Sequence, residues 1–250
     1  MLRIAVLAAA VIACSHPPAP PPPAGEATLS PALTGYMQAH GWGGMHLAWH
    51  TQRRWDRLSP AAVAYAERQV WRRAARQEGD AGNGIEFLAM HRGMMQMLVE
   101  QDASVKPLFA TWASPPTDGT FDPQMSAALD RLEHHLDSFA SEDALGLYIE
   151  TSFLATDPTA GVHNYLHKRF QDPSSPIDLG NPSVNLMNPR FWALHGWIDR
   201  LWTRYRAQAG LHDTDPAFQA TMRDAMTAMM TTKAMTREPP PADLIDAVRP

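Results

Sequence analysis

Six histidines in this chain are spaced for metal chemistry. His46 and His50 stand four residues apart in His-Leu-Ala-Trp-His, and His163 and His167 do so in His-Asn-Tyr-Leu-His. An i, i+4 pair puts both imidazoles on one helix face. Each pair is followed by a lone histidine in an apolar, helix-like stretch: His91 in Phe-Leu-Ala-Met-His-Arg and His195 in Phe-Trp-Ala-Leu-His-Gly-Trp. Two plus one, twice, is the ligand count of two three-nitrogen sites. Neutral imidazole binds copper, zinc, iron or nickel, and three ligands leave positions open for catalysis.

The metals can be weighed by what is missing. A zinc-protease helix needs His-Glu-x-x-His, but Leu47 and Asn164 follow the first histidines here. Di-iron bundles need Glu-x-x-His with several bridging glutamates, a pattern absent around these residues. The one cysteine, Cys14, lies outside both clusters. An all-nitrogen pair of sites best suits copper. Other histidines read as bystanders: His16 in a proline-rich spacer, His40 at a helix end, His134 and His135 on a charged helix, and His212 past a helix end. Methionines flank His91 (Met90, Met94, Met95, Met97) and stripe the last helix (Met222, Met226, Met229, Met230, Met235). Thioether suits Cu(I), but the helical spacing reads as core packing.

The elements that must carry these ligands are helical. Ser30-Pro31, Ser59-Pro60, Asp122-Pro123 and Asn188-Pro189 each pair an N-cap with proline at the first helical position. They predict helices from 31 to about 40, 60 to about 77, 123 to about 139 and 189 to about 208. Further helices are expected through His46 and His50 to about Arg57, over Ile85 to about Glu100, from Ser141 to about Phe153, through His163 and His167, and over Pro216 to about Met235. Residues 104–121 and 171–189 read as irregular, and a loop as long as the second is often functional. Strand signals are sparse. The expected fold is all-α, a four-helix bundle core holding a dinuclear site, with additional helices and long loops.

The chain has 250 residues with 45% hydrophobic and 19% charged content, enough for a sizeable core. Net charge is −5 and no basic patch stands out, which argues against a nucleic-acid partner. The apolar run from Ile4 to Ala13 is too short to span a bilayer and ends in Val-Ile-Ala-Cys. That ending resembles a bacterial lipobox. It implies a signal peptide over 1–13, lipid on Cys14, export to the envelope and a membrane contact through the lipid alone; the alternative is an ordinary secretory signal. Prolines then crowd 14–28, an extended linker. The folded domain is expected over 29–236, with a loose proline-rich tail over 237–250.

The longer motifs resemble the tyrosinase, or type 3 dicopper, superfamily. Phe87-Leu88-x-x-His91-Arg92 resembles the Phe-Leu-Pro-Trp-His-Arg of tyrosinases. His163-Asn164-x-x-His167, with Pro189-x-Phe191-Trp192-x-x-His195-x-x-Ile198-Asp199-Arg200-Leu201-Trp202, resembles their second copper half. The likeness spans roughly residues 45 to 205. It implies two copper ions with O2 as co-substrate, and assigns His163, His167 and His195 to the second. Tyrosinases also place a histidine nine residues before the position of His91, where this chain has Gly82. A His-x-x-x-His pair with a distant third is instead similar to the first site of arthropod haemocyanins and phenoloxidases, which assigns His46, His50 and His91.

The implied activity is oxidation of catechols to quinones, with hydroxylation of phenols left open. The substrate would be a small phenol or catechol, an aminophenol or a peptide tyrosine. In that family an asparagine at the position of Asn164, with a nearby glutamate, orients a water; Glu150 or Asp157 is the nearest acid, at a different spacing. Asp199, one turn after His195, either supports a ligand imidazole or pairs with Arg92 or Arg200. The rival readings are an envelope protein that binds O2 or copper without turnover, and a scaffold with one copper or none.

Overall fold

Serine, aspartate and asparagine caps start five of the helices as their chemistry requires, whereas those bearing His46, His91 and His163 start on left-handed glycines. In the computed structural model, which describes residues 28–151, 160–232 and 238–249, the described residues form helices and loops without strands. In order these are α1 (Pro31–Ala39), α2 (Trp42–Arg53), α3 (Pro60–Arg68), α4 (Asn83–Gln101), α5 (Lys106–Phe109), α6 (Pro123–His134), α7 (Glu142–Glu150), α8 (Val162–Arg169), α9 (Pro189–Gln208), α10 (Pro216–Met230) and α11 (Ala242–Val248). Ser30, Ser59, Asp122, Ser141 and Asn188 each accept a backbone N–H of the first turn, satisfying donors that a helix start leaves orphaned. No described helix is long and apolar enough to cross a membrane. The lipobox-like stretch, Cys14 and most of the proline-rich segment lie outside the described residues.

Several helices end earlier than their sequence pattern implies. α3 stops at Arg68 rather than near Gln77. There Val70 takes φ 63°, the left-handed region, and the Trp71 amide closes on the Ala66 carbonyl at 2.9 Å. Left-handed backbone costs a β-branched residue about 1–2 kcal/mol. Burying Trp71 against Tyr65 offsets it. Residues 71–82 then run back along α2, the Glu78 amide reaching the Arg53 carbonyl at 2.7 Å. α2 gives way at Arg53 to a 3-10 turn, and α6 at His134 to another.

Two apolar clusters hold the domain. The larger unites α1, α2, α4, α6, α7, α8, α9 and α10 around Phe87, Phe191, Trp192, Trp197 and Trp202. The smaller joins Leu47 and Ala48 of α2, Tyr65 and Ala66 of α3, and Trp71 with Leu244, Ile245 and Val248. The last three residues belong to α11, so the C-terminal segment is not a loose tail. Its apolar side chains cover the outer face of α2, whose inner face carries His46 and His50. Leu244 has no solvent exposure; Leu244→Ala is expected to cost about 2–4 kcal/mol of unfolding free energy, read from urea transitions.

Candidate metal centre

Four helices bring the six imidazoles together. His46 and His50 come from α2, His91 from α4, His163 and His167 from α8, and His195 from α9. Within each triad, His46/His50/His91 and His163/His167/His195, the ligand nitrogens all lie within 4.8 Å of one another. Every one of the six side chains is 1–3% exposed. The triads share one chamber. His91 stacks on His195 with ring centres 3.8 Å apart and planes 7° apart, and His163 stands 6.1 Å from His91. Phe87 lies 4.6 Å from His91 and 4.9 Å from His163. Phe191 lies 5.3 Å from His46 and 4.2 Å from His195. These two rings wall the chamber and keep water off it.

Backbone carbonyls decide which ring nitrogen faces inward. His46 Nδ1 meets the Pro182 carbonyl at 3.0 Å, His91 Nδ1 that of Phe87 at 2.9 Å, and His167 Nδ1 that of Leu179 at 2.8 Å. A carbonyl only accepts, so each Nδ1 carries the proton and each Nε2 keeps its lone pair. His163 Nδ1 donates in the same way to Asn164 Oδ1 at 2.9 Å. The inward nitrogens of His91, His163 and His167, and both nitrogens of His195, have no hydrogen-bond partner among the described residues. A buried orphan of this kind costs about 1–3 kcal/mol, a penalty that an ion bound at Nε2 removes. His46 and His50 Nε2 approach to 3.1 Å, close to the ~3.3 Å that two imidazoles on one ion require.

Burial keeps these rings neutral, the state in which imidazole is a ligand. Desolvation holds His46 down at about 4 and His167 at about 3, each against a smaller upward pull from its carbonyl partner. It also pushes His50, His91, His163 and His195 well below the ordinary range, helped by their mutual repulsion. The Arg54 guanidinium adds to this at His50, His163 and His167.

The 171–189 loop positions two of the imidazoles through its backbone. It supplies the carbonyls of Leu179 and Pro182, and buried Asn185 donates to the Leu179 carbonyl at 3.4 Å. Gly43 makes this possible, because a Cβ there would sit 2.1 Å from the Ser183 carbonyl oxygen. The tail braces the same loop: Arg249 donates to Gln171 at 3.0 Å and pairs with Asp178 at 3.4 Å. Arg54, paired with buried Glu78, donates to the Arg249 carbonyl. Leu179, Pro182, Asn185 and Arg249 carry no motif, and only the length of the loop marked it.

Other candidate residues sort plainly. Asn164 orients His163, so Asn164→Ala is expected to weaken metal binding at the second triad about 10–100-fold in an equilibrium titration. Asp199 pairs with Arg92, which lies 3.9 Å over the Trp202 ring; it braces α4 against α9 rather than holding a ligand imidazole. Glu150 is buried and accepts from Asn83 at 2.6 Å, and Asp157 lies outside the described residues. His40, His134, His135 and His212 are exposed. No known family model matches this chain, and no curated protein matches it.

Proposed function

We propose that this chain is a tyrosinase-like dicopper oxidase that uses O2 to convert catechols to quinones. One observation carries the reading: two triads of neutral, buried imidazoles meet where His91 stacks on His195, and the inward nitrogens of His91, His163, His167 and His195 have no partner among the described residues. The donor set favours copper. No carboxylate or thiolate belongs to either triad, and the Arg54 charge is felt at three of the rings. Such a chamber takes two monovalent ions at less electrostatic cost than two divalent ones. The sequence likeness to type 3 copper proteins points the same way.

His46, His50 and His91 would hold one ion and His163, His167 and His195 the other. A copper pair bound there would supply O2 binding and the two-electron oxidation of a diphenol. Two catechols are oxidised per O2, giving two quinones and two waters. The protein's own part is positional. Carbonyls of Phe87, Leu179 and Pro182 hold the Nδ1 protons, so the Nε2 lone pairs point inward. Phe87 and Phe191 exclude water. Asn164 fixes His163, and hydroxylation of monophenols would add a proton-transfer demand beyond that. Loaded protein is expected to bind two coppers per chain and to take up O2 when given a diphenol. Full oxidation by copper-free protein would sink the reading.

The depth of the site favours a second reading. With all six imidazoles at 1–3% exposure, a diphenol has no open path to them, which favours a carrier of O2. Reversible oxygenation with no diphenol turnover would select it.

A further inference from the structure

The methionines of α4 and α10 fall into two groups. Met90, Met94, Met95, Met222 and Met229 are 0–8% exposed and pack in the main core, as their helical spacing implies. Met97, Met226 and Met230 are only half-buried. These three line one open cleft of about 280 Å³ with Gly93, Gln96, Glu100 and Thr227. Met97 stands one turn after Gly93 on α4, and Met230 one turn after Met226 on α10, so each helix makes its contribution from one face. Gly93 sets the close approach: a Cβ there would lie 2.1 Å from Met226 Sδ. The Met226 thioether is thus seated directly on the α4 backbone. Gly93 is two residues past His91, which turns the cleft to the opposite side of α4 from the histidine chamber.

Half-exposed side chains gain only part of the burial energy that selects apolar residues for a core. Three thioethers around one cleft have a second chemistry. Thioether sulfur is a soft, uncharged donor that selects Cu(I) over zinc, magnesium or calcium. Glu100 in the cleft lining adds a negative charge for a cation. We propose that Met97, Met226 and Met230 form a thioether site for a soft monovalent cation, Cu(I), on the outer α4–α10 face. The site is separate from the histidine centre and does not depend on what that centre holds.

The test is an anaerobic Cu(I) titration of the full-length, metal-free protein against a chromophoric competitor, with X-ray absorption of the saturated sample. Wild type is expected to bind one more Cu(I) than the M97L/M226L/M230L chain, and to show sulfur ligation that this variant lacks. Leucine conserves methionine's volume. Each single Met→Leu change is expected to weaken that one ion about tenfold, which serves if the triple variant does not fold. Nitrogen-only ligation in saturated wild type overturns the proposal whatever the variants do. Sulfur ligation that survives all three changes also overturns it. Sulfur ligation removed by the variant, with no imidazole ligation beside it, supports this site and counts against the dicopper centre instead.

Discussion

Replacing His163 with alanine is expected to lower bound copper from two ions per chain to one and to take catechol oxidation to background. On the proposed dicopper reading the ring supplies one of three donors, and nothing else in its triad can replace it: the described groups that could hold a metal there are His163, His167 and His195 alone. Loss of an outer hydrogen-bond partner already costs about 10–100-fold in metal affinity, and loss of a donor costs more. The effect on oxidation exceeds the effect on metal content, because the two-electron step needs both ions. Metal analysis and O2 uptake on the same sample read the two quantities, with helicity checked by circular dichroism. His46→Ala is the matching change in the other triad and is expected to behave alike. Two coppers and undiminished oxidation in His46→Ala would remove that triad from the centre. The same result in His163→Ala would remove the dicopper reading altogether.

Metal-free protein is expected to unfold cooperatively as pH falls from 6 toward 4. In the fold His46 titrates at about 4 and His167 at about 3, against about 6.5 in an unfolded chain. The unfolded state therefore takes up protons that the fold refuses. The stability these rings contribute is complete above about pH 6.5 and drains as pH drops toward the folded values. At about 1.4 kcal/mol per unit and group, the two rings together remove about 7 kcal/mol by pH 4. That is comparable to the whole stability of a typical domain, about 5–15 kcal/mol. His50, His91, His163 and His195 act in the same direction. Buried Glu150, whose carboxyl is pushed up by burial, acts the other way, one group against six. Copper should shift the transition toward lower pH, because an ion at Nε2 must be displaced before a proton enters. Helicity followed from pH 7.5 to 3.5, with chelator and with copper, measures both curves. A flat metal-free curve down to pH 4 would mean the rings are not buried neutral.

Helix starts were legible along the chain because caps and first-turn prolines act within three residues. Ser30, Ser59, Asp122, Ser141 and Asn188 all begin helices where their local chemistry places them. The two histidine pairs were legible for the same reason, since i, i+4 spacing is a helix property written in sequence. Helix ends were not. α3 stops because Trp71 finds Tyr65 and the C-terminal helix, contacts that no local window contains. The expected loose tail failed likewise: Leu244, Ile245 and Val248 have nowhere to go until α2 and α3 present an apolar face.

The sequence by itself determined an all-helical chain and marked six imidazoles that could hold metal. Only the tertiary structure decided that the two triads share one chamber, with His91 stacked on His195. It also decided that Asp199 serves Arg92, and that a loop and the tail behind it hold His46 and His167. The physical reason is common to all three. A side chain is written in the sequence, whereas the ring, guanidinium or backbone carbonyl it meets is placed only by the fold.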